Sequence, residues 1–148
     1  MILEEILSTF IRCSRLRITY QMVAEGEDWM VSFTGEDASV LLARNGEVLR
    51  ALEYLANRFL EKHQGGKVTI DCEGFRAIRA EELRLMALTA AEKVKRLGRP
   101  YHLSPMSPEE RRIVHLAVAE DPELRTESEG YGENRKVVIY PKPHASAD

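Results

Sequence analysis

Residues 37–72 read DASVLLARNGEVLRALEYLANRFLEKHQGGKVTIDC. Asp37 supplies an acidic first turn, and Ala38, Val40, Leu41 and Leu42 begin a helix. Ala43-Arg44-Asn45-Gly46 interrupts it, because Asn-Gly tolerates positive φ and marks a turn. A second helix resumes from about Gly46, with Val48, Leu49, Leu52, Leu55 and Phe59 as its apolar stripe. Gln64-Gly65-Gly66 ends it, and Lys67 to Cys72 alternates as a strand with Val68 and Ile70 on one face. The backbone amides that open the second helix are free to meet an anion. Arg44 sets a positive charge beside them, and Gly46 permits close approach. An ordinary helix-turn-helix corner carries the same pattern, so both readings stand on spacing alone.

Outward from this stretch the remaining elements fall into place. Upstream, Ile2, Leu3, Ile6, Leu7, Phe10 and Ile11 recur at helical spacing. Two strands follow, near Arg17 to Val23 and Trp29 to Phe33, joined by Glu25-Gly26-Glu27-Asp28. Downstream, a long helix runs from about Arg76 to Leu97, with Leu83, Met86, Ala90, Val94 and Leu97 at intervals of three and four. Gly98-Arg99-Pro100 stops it. Ser107-Pro108-Glu109-Glu110 is a capping box with proline at the first helical position, opening a helix to about Ala119. Strands near Leu124 to Glu129 and Arg135 to Tyr140 flank the loop Gly130 to Asn134. The expected class is α+β. Two apolar patterns predict two small cores joined near residues 97–104, with the long helix accompanying the first.

Composition narrows the function. Of 148 residues, 44% are hydrophobic and 30% charged, the mix of a globular protein rather than a disordered one. Lysine plus arginine number 21 against 24 aspartate plus glutamate, for a net charge of -3, so nucleic-acid binding has to rest on local patches. Two cysteines, Cys13 and Cys72, build no disulfide framework and suit a reducing, cytoplasmic setting. No apolar run approaches the roughly 20 residues that span a bilayer, and the N-terminus has no signal-peptide pattern, so no membrane insertion is expected. His63, His102, His115 and His144 show no metal-ligand spacing. Glu81-Glu82 and Glu109-Glu110 form no acid/base pocket, and phosphate-binding and dinucleotide fingerprints are missing. The expectation is a non-enzyme with no cofactor and no metal.

One further pattern stands out. In Arg111-Arg112-Ile113-Val114-His115, Arg111 and His115 share a helical face one turn apart, with Arg112 at its edge. Ile113, Val114, Leu116, Ala117 and Val118 read as the opposite, core-facing side. The pair is either a binding face or a solvated face with a capping histidine.

The order helix, strand, strand, helix, helix, strand, with a short loop between the paired helices, resembles the type II KH domain, which grips single strands at a GXXG loop. Here Ala43-Arg44-Asn45-Gly46 stands in that place, with alanine as its first residue. Arg111 with three residues to His115 resembles the R-three-H motif. The likeness continues through Asp121-Pro122, Arg125-Thr126-Glu127-Ser128-Glu129-Gly130 and Arg135 to Pro141. Phe33 to Ala38, Asp71 to Arg76 and Pro105 to His115 also resemble the Jag family of bacterial RNA-binding proteins, in which the two domains occur in this order. Tyr131 and Asn134 depart from that family's Gly-Glu-Gly-Pro loop, and Tyr131 offers a ring for base stacking or for packing.

The resemblance implies a KH domain over residues 1–75, a connecting long helix over 76–100, an R-three-H domain over 101–141 and a flexible tail over 142–148. It implies binding of single-stranded RNA, with single-stranded DNA as a second candidate. It also implies a post-transcriptional role linked to cell envelope growth and division, and pairing with a second small KH protein. Arg44, Asn45 and Gly46 would meet the strand in the first module. In the second, Arg111 and Arg112 would contact phosphate or stack on bases, and His115 would bond phosphate or support Arg111. Arg125, Arg135 and Lys136 would extend the basic surface. Alanine in the first loop position predicts a weaker grip there than in the second module. The alternative is a protein-interaction scaffold with a lapsed loop and weak or absent RNA binding.

Overall fold

The computed structural model describes residues 1–143. The chain divides into two units, Met1–Ala77 and a second that starts at Ile78.

The first unit contains α1 (Ile2–Ser14), β1 (Ile18–Glu25), β2 (Asp28–Gly35), α2 (Ala38–His63) and β3 (Val68–Cys72), with α2 broken by non-helical backbone at 43–46. The element order is the one expected. β2 is central, antiparallel to β1 and parallel to β3. Leu3, Leu7, Val31, Phe33, Leu41, Leu60 and Ile70 are fully buried together. Phe33 anchors this core, meeting the Phe10 and Tyr20 rings edge-on with centroids 6.3 and 6.1 Å away. The core side of α2 differs from the expected stripe. Leu49, Leu52, Ala56 and Leu60 face inward, while Leu55 and Phe59 are about half exposed. Small Ala56 is buried at the position where two larger residues looked the better candidates.

Side chains cover the outer edge of β3. Asn57 bonds the main chain of Val68 twice, its Nδ2 donating to the carbonyl at 2.9 Å and its Oδ1 accepting the N–H at 2.8 Å. Glu53 accepts the Ile70 N–H at 2.8 Å, and Arg76 Nε donates to the Ile70 carbonyl at 3.0 Å. Arg76 also pairs with Glu53. The strand's outward groups are thereby satisfied without another strand, which blocks edge-to-edge pairing there.

α3 (Phe75–Leu97) begins with the last residues of the first unit, and its buried Ala87, Ala90, Ala91 and Val94 belong to the second core. This reverses the expected association of the long helix. The buried set is Leu83, Ala87, Ala90, Ala91 and Val94, while Met86 and Leu97 are exposed. Ala87, Ala90 and Ala91 lack long side chains, so the helix can lie close to its neighbours where a larger stripe could not. The rest of the unit comprises β4 (Tyr101–His102), α4 (Pro108–Val118), β5 (Leu124–Glu129), a short 3₁₀ turn (Gly132–Asn134) and β6 (Lys136–Pro141). β6 lies between β4 and β5, antiparallel to both. Val114 and Val118 of α4 pack with the alanines of α3 and with Leu103, Leu124, Val137 and Ile139. The two-residue β4 has too little sequence to signal itself. Lys142 N–H donates to the Glu123 carbonyl at 2.8 Å, so residue 142 is tied to the chain just before β5. Residues 144–148, including His144, lie outside the described residues. Among the described residues no helix is long and apolar enough to cross a membrane.

Candidate functional site

In the first unit the break in α2 has an unusual backbone. Arg44, Asn45 and Gly46 take φ of 53°, 56° and 76°, three successive left-handed residues, and two of them are not glycine. Each non-glycine residue there costs on the order of 1 kcal/mol. Arg50 Nη1 braces the turn, donating to the Asn45 carbonyl at 2.6 Å. Gly46 is required on two counts. Its φ favours glycine, and a Cβ would lie 2.9 Å from the Phe75 ring. Ala43, by contrast, has φ -57° and ψ 147°, which any L-residue adopts. Alanine in the first position therefore strains nothing, and the expected weakening through lost positive φ has no basis in this backbone. The Arg44 side chain is 83% exposed, with Glu47 at 3.6 Å. An ion pair so exposed holds its arginine weakly.

In the second unit the capping box forms as read. Glu110 N–H donates to Ser107 Oγ, and Ser107 N–H donates to Glu110 Oε2, both at 3.3 Å. Glu110 also accepts from Arg79 Nε of α3 at 3.0 Å, in a largely buried pair. This fixes the start of α4, and with it the direction of the side chains one turn later.

Arg111 and His115 share a face of α4, but that face does not turn to solvent. Val114 and Val118 form the buried stripe, and at 100° per residue Arg111 and His115 lie beside it rather than opposite. The outward side holds Arg112 and Leu116, and Leu116 is 63% exposed. The expectation that Leu116 belongs to the core is therefore overturned. His115 is hydrogen-bonded at both ring nitrogens, Nδ1 to Thr126 Oγ1 at 2.7 Å and Nε2 to Ser128 Oγ at 2.9 Å. A neutral imidazole has one donor and one acceptor, and a hydroxyl serves as either partner. His115 thus bolts α4 to β5 and has no ring nitrogen left for a phosphate. Burial, reinforced by the Arg111 charge, holds its pKa below the ordinary histidine value. Arg111 Nε is enclosed and has no hydrogen-bond partner among the described residues.

The other basic candidates divide. Arg125 pairs with Glu127 at 2.6 Å and lies over the Tyr140 ring, 4.2 Å from its centroid. Tyr140 Oη in turn donates to Glu129 Oε2 at 2.6 Å, which raises its pKa. Arg135 Nη1 donates to the Gly130 carbonyl at 2.8 Å at the hairpin neck. Arg112 is exposed, and Lys136 is half-buried. Arg111, Arg112, Arg125, Arg135 and Lys136 all belong to α4 and the β5–β6 hairpin, whereas Arg44, Asn45 and Gly46 belong to the other unit.

Sequence reading missed Thr126 and Ser128. Their signal is the alternation of β5, which puts both on the same face as buried Leu124. It also missed Arg50, Glu53 and Asn57. The last two lie one turn apart beside the Leu52–Ala56 stripe. Cys72 is fully buried, and desolvation pushes its thiol up to about 11, so it is no nucleophile. Among the described residues no three His, Cys, Asp or Glu side chains are placed to hold a metal ion.

Residues 81–141 match the R-three-H domain family. The chain is also similar to bacterial proteins named RNA-binding protein KhpB. The relative in Clostridium symbiosum is 37% identical over 111 residues, 74% of this chain and 50% of the relative. That in Bacillus subtilis (strain 168) is 37% identical over 110 residues, 72% of this chain and 53% of the relative. That in Streptococcus pneumoniae serotype 2 is 34% identical over 101 residues, 67% of this chain and 31% of the relative. The chain spans about half the length of the first two.

Proposed function

We propose, from the R-three-H domain carried in residues 81–141, that this chain is a non-catalytic, cytoplasmic protein that binds single-stranded RNA. The observation that carries the reading is that match, over a unit whose α4 and β5–β6 hairpin hold Arg111, Arg112, Arg125, Arg135 and Lys136. The similar proteins named RNA-binding protein KhpB support it. Arg111 is half-buried on α4 and adds its charge to this side of the unit, its enclosed Nε having no hydrogen-bond partner among the described residues. Arg112 adds an exposed charge, while His115 positions the helix against β5 rather than touching the strand.

The first unit is read as a type II KH module that holds the backbone of the same class of ligand. Its element order supports this, as does the left-handed corner at 44–46, where successive residues of one twist aim main-chain amides at one place. A post-transcriptional role connected with bacterial envelope growth and division, and pairing with a small KH protein, complete the proposal.

A second reading, a protein-interaction scaffold, is favoured by one observation. Tyr54, Leu55 and Phe59 are 65%, 53% and 49% exposed along one side of α2, an apolar stripe larger than a solvated helix needs.

Fluorescence anisotropy with a labelled single-stranded RNA and its duplex, at two salt concentrations, tests the choice. The proposal expects tighter binding to the single strand, weakening with salt as counterions are released. Equal binding to duplex, or no binding, contradicts it and leaves the scaffold reading.

A further inference from the structure

Tyr131 is 91% exposed at the tip of the β5–β6 hairpin. Its backbone is firmly held although its ring is not. Gly130 takes φ +93°, which L side chains rarely adopt, and a Cβ there would lie a close 3.0 Å from the Asn134 carbonyl oxygen, so the hairpin neck favours glycine. Asn134 N–H donates to the Tyr131 carbonyl at 3.1 Å, and Arg135 N–H donates to that of Gly132 at 3.2 Å. Arg135 Nη1 ties the other side of the neck through the Gly130 carbonyl at 2.8 Å. The ring is therefore displayed from a braced turn, and its use by a ligand involves little loss of backbone freedom.

Two other tyrosines of this unit are engaged. Tyr140 carries Arg125 on its ring and gives its hydroxyl to Glu129. Tyr101 lies under Lys93 Nζ, 5.6 Å from its centroid. Among the described residues Tyr131 makes no ring or cation contact. A ring so exposed adds almost nothing to the fold, since it removes no apolar area from water.

Resting on the RNA-binding reading, we propose that Tyr131 is a stacking platform for one unpaired base of the bound strand. Its neighbours favour a base over a phosphate or a protein surface. The ring face accepts any base, whereas the nearby acids Glu129 and Glu133 offset the basic Arg135 and Lys136 and leave a phosphate no net attraction at the tip. Charged residues on both sides, Glu129, Glu133, Arg135 and Lys136, leave the ring isolated rather than part of an apolar patch. Stacking needs a base released from a duplex, so the contact contributes to single-strand preference rather than to general affinity.

The test is anisotropy with the full chain, comparing wild type, Tyr131→Ala and Tyr131→Phe on a single-stranded RNA and its duplex at two salt concentrations. Thermal unfolding of each protein runs alongside. The expected result is that Tyr131→Ala weakens single-strand binding on the order of tenfold, by the same factor at both salts, with an unchanged melting temperature. Tyr131→Phe retains binding within about twofold, because the ring face stays, and duplex binding is unaffected. Unchanged single-strand affinity in Tyr131→Ala overturns the platform while leaving the RNA-binding reading intact. Equal loss in both variants also overturns it, since the hydroxyl rather than the ring face would then be the contact. A fall in the melting temperature of Tyr131→Ala shows a packing role and overturns it too. Failure of wild type to bind any RNA overturns the underlying reading itself.

Discussion

The corner at 43–46 and the Arg111–His115 face of α4 hold polar residues in opposite ways. At the corner the backbone is strained and the side chains are loosely held: Arg44 and Asn45 are left-handed, and among the described residues Arg44 has only an exposed ion-pair partner, Glu47. On α4 the backbone is regular and well capped, and the side chains are engaged: His115 uses both ring nitrogens on β5, and Arg111 is partly enclosed. A polar residue at the right spacing is thus not the same as an available one. The difference also changes which substitutions report on binding. At the corner, removing the exposed Arg44 charge should leave the fold alone, and loss of the glycine should not. On α4, His115 reports on stability, and Arg112 is the residue whose charge can be removed cleanly.

The largest effect should come from Gly46→Ala. The left-handed φ and the approach to Phe75 add, and we expect the first unit to lose about 2–3 kcal/mol in chemical denaturation. A loss under about 0.5 kcal/mol would show that the corner relaxes to a backbone alanine can share.

His115→Ala should cost about 2 kcal/mol, from two lost hydrogen bonds and two hydroxyls left half-buried without a partner. The urea midpoint measures it, and the change should appear without RNA. If stability holds and only binding falls, His115 is a ligand contact after all.

The pH dependence follows from the same contact. With the folded-state pKa of His115 below its unfolded value, the unfolded chain binds the proton more readily. The stability from neutral His115 is fully present above the unfolded pKa, near 6.5. It is lost as pH falls through the interval down to the depressed folded value. Urea midpoints between pH 8 and pH 5 should therefore decline, and His115→Gln should remove that part of the decline. An identical slope in the variant would mean other groups carry it.

Ala43→Gly should give the smallest change and settle the meaning of the replaced glycine. Because Ala43 has φ -57°, glycine only adds unfolded-state freedom, and stability should fall by about 0.4–1 kcal/mol. RNA affinity should stay within about twofold of wild type, since the corner amides already have their geometry. A large gain in affinity would restore the view that alanine holds the corner in a poor conformation.

Much of the fold was legible because local signals agree along the chain. Asn45-Gly46 and the Ser107–Glu110 box marked the break in α2 and the start of α4 by mechanisms that need no tertiary context. What periodicity could not supply was the choice among near-equivalent apolar faces. Leu55 and Phe59 outscore Ala56 in hydrophobicity, yet Ala56 is the one buried. The same holds on α3, where Ala87 and Ala91 go inside and Met86 stays out, because closeness of packing is a property of neighbours. The candidate site was legible as a list of cations and illegible as an arrangement. That Arg111 and His115 lie one turn apart follows from the helix. That His115 points at Thr126 and Ser128 depends on a strand more than ten residues downstream.

The proposed single-strand surface on the second unit consists of α4 and the β5–β6 hairpin, within the residues that match the R-three-H domain. An NMR titration of the intact wild-type chain with a short single-stranded oligoribonucleotide tests it without any substitution. The earliest and largest amide shifts should fall on the start of α4 and on the hairpin, residues 107–115 and 128–137, with smaller shifts at 43–50. Shifts confined to 43–50, with α4 and the hairpin unmoved at saturation, would contradict it.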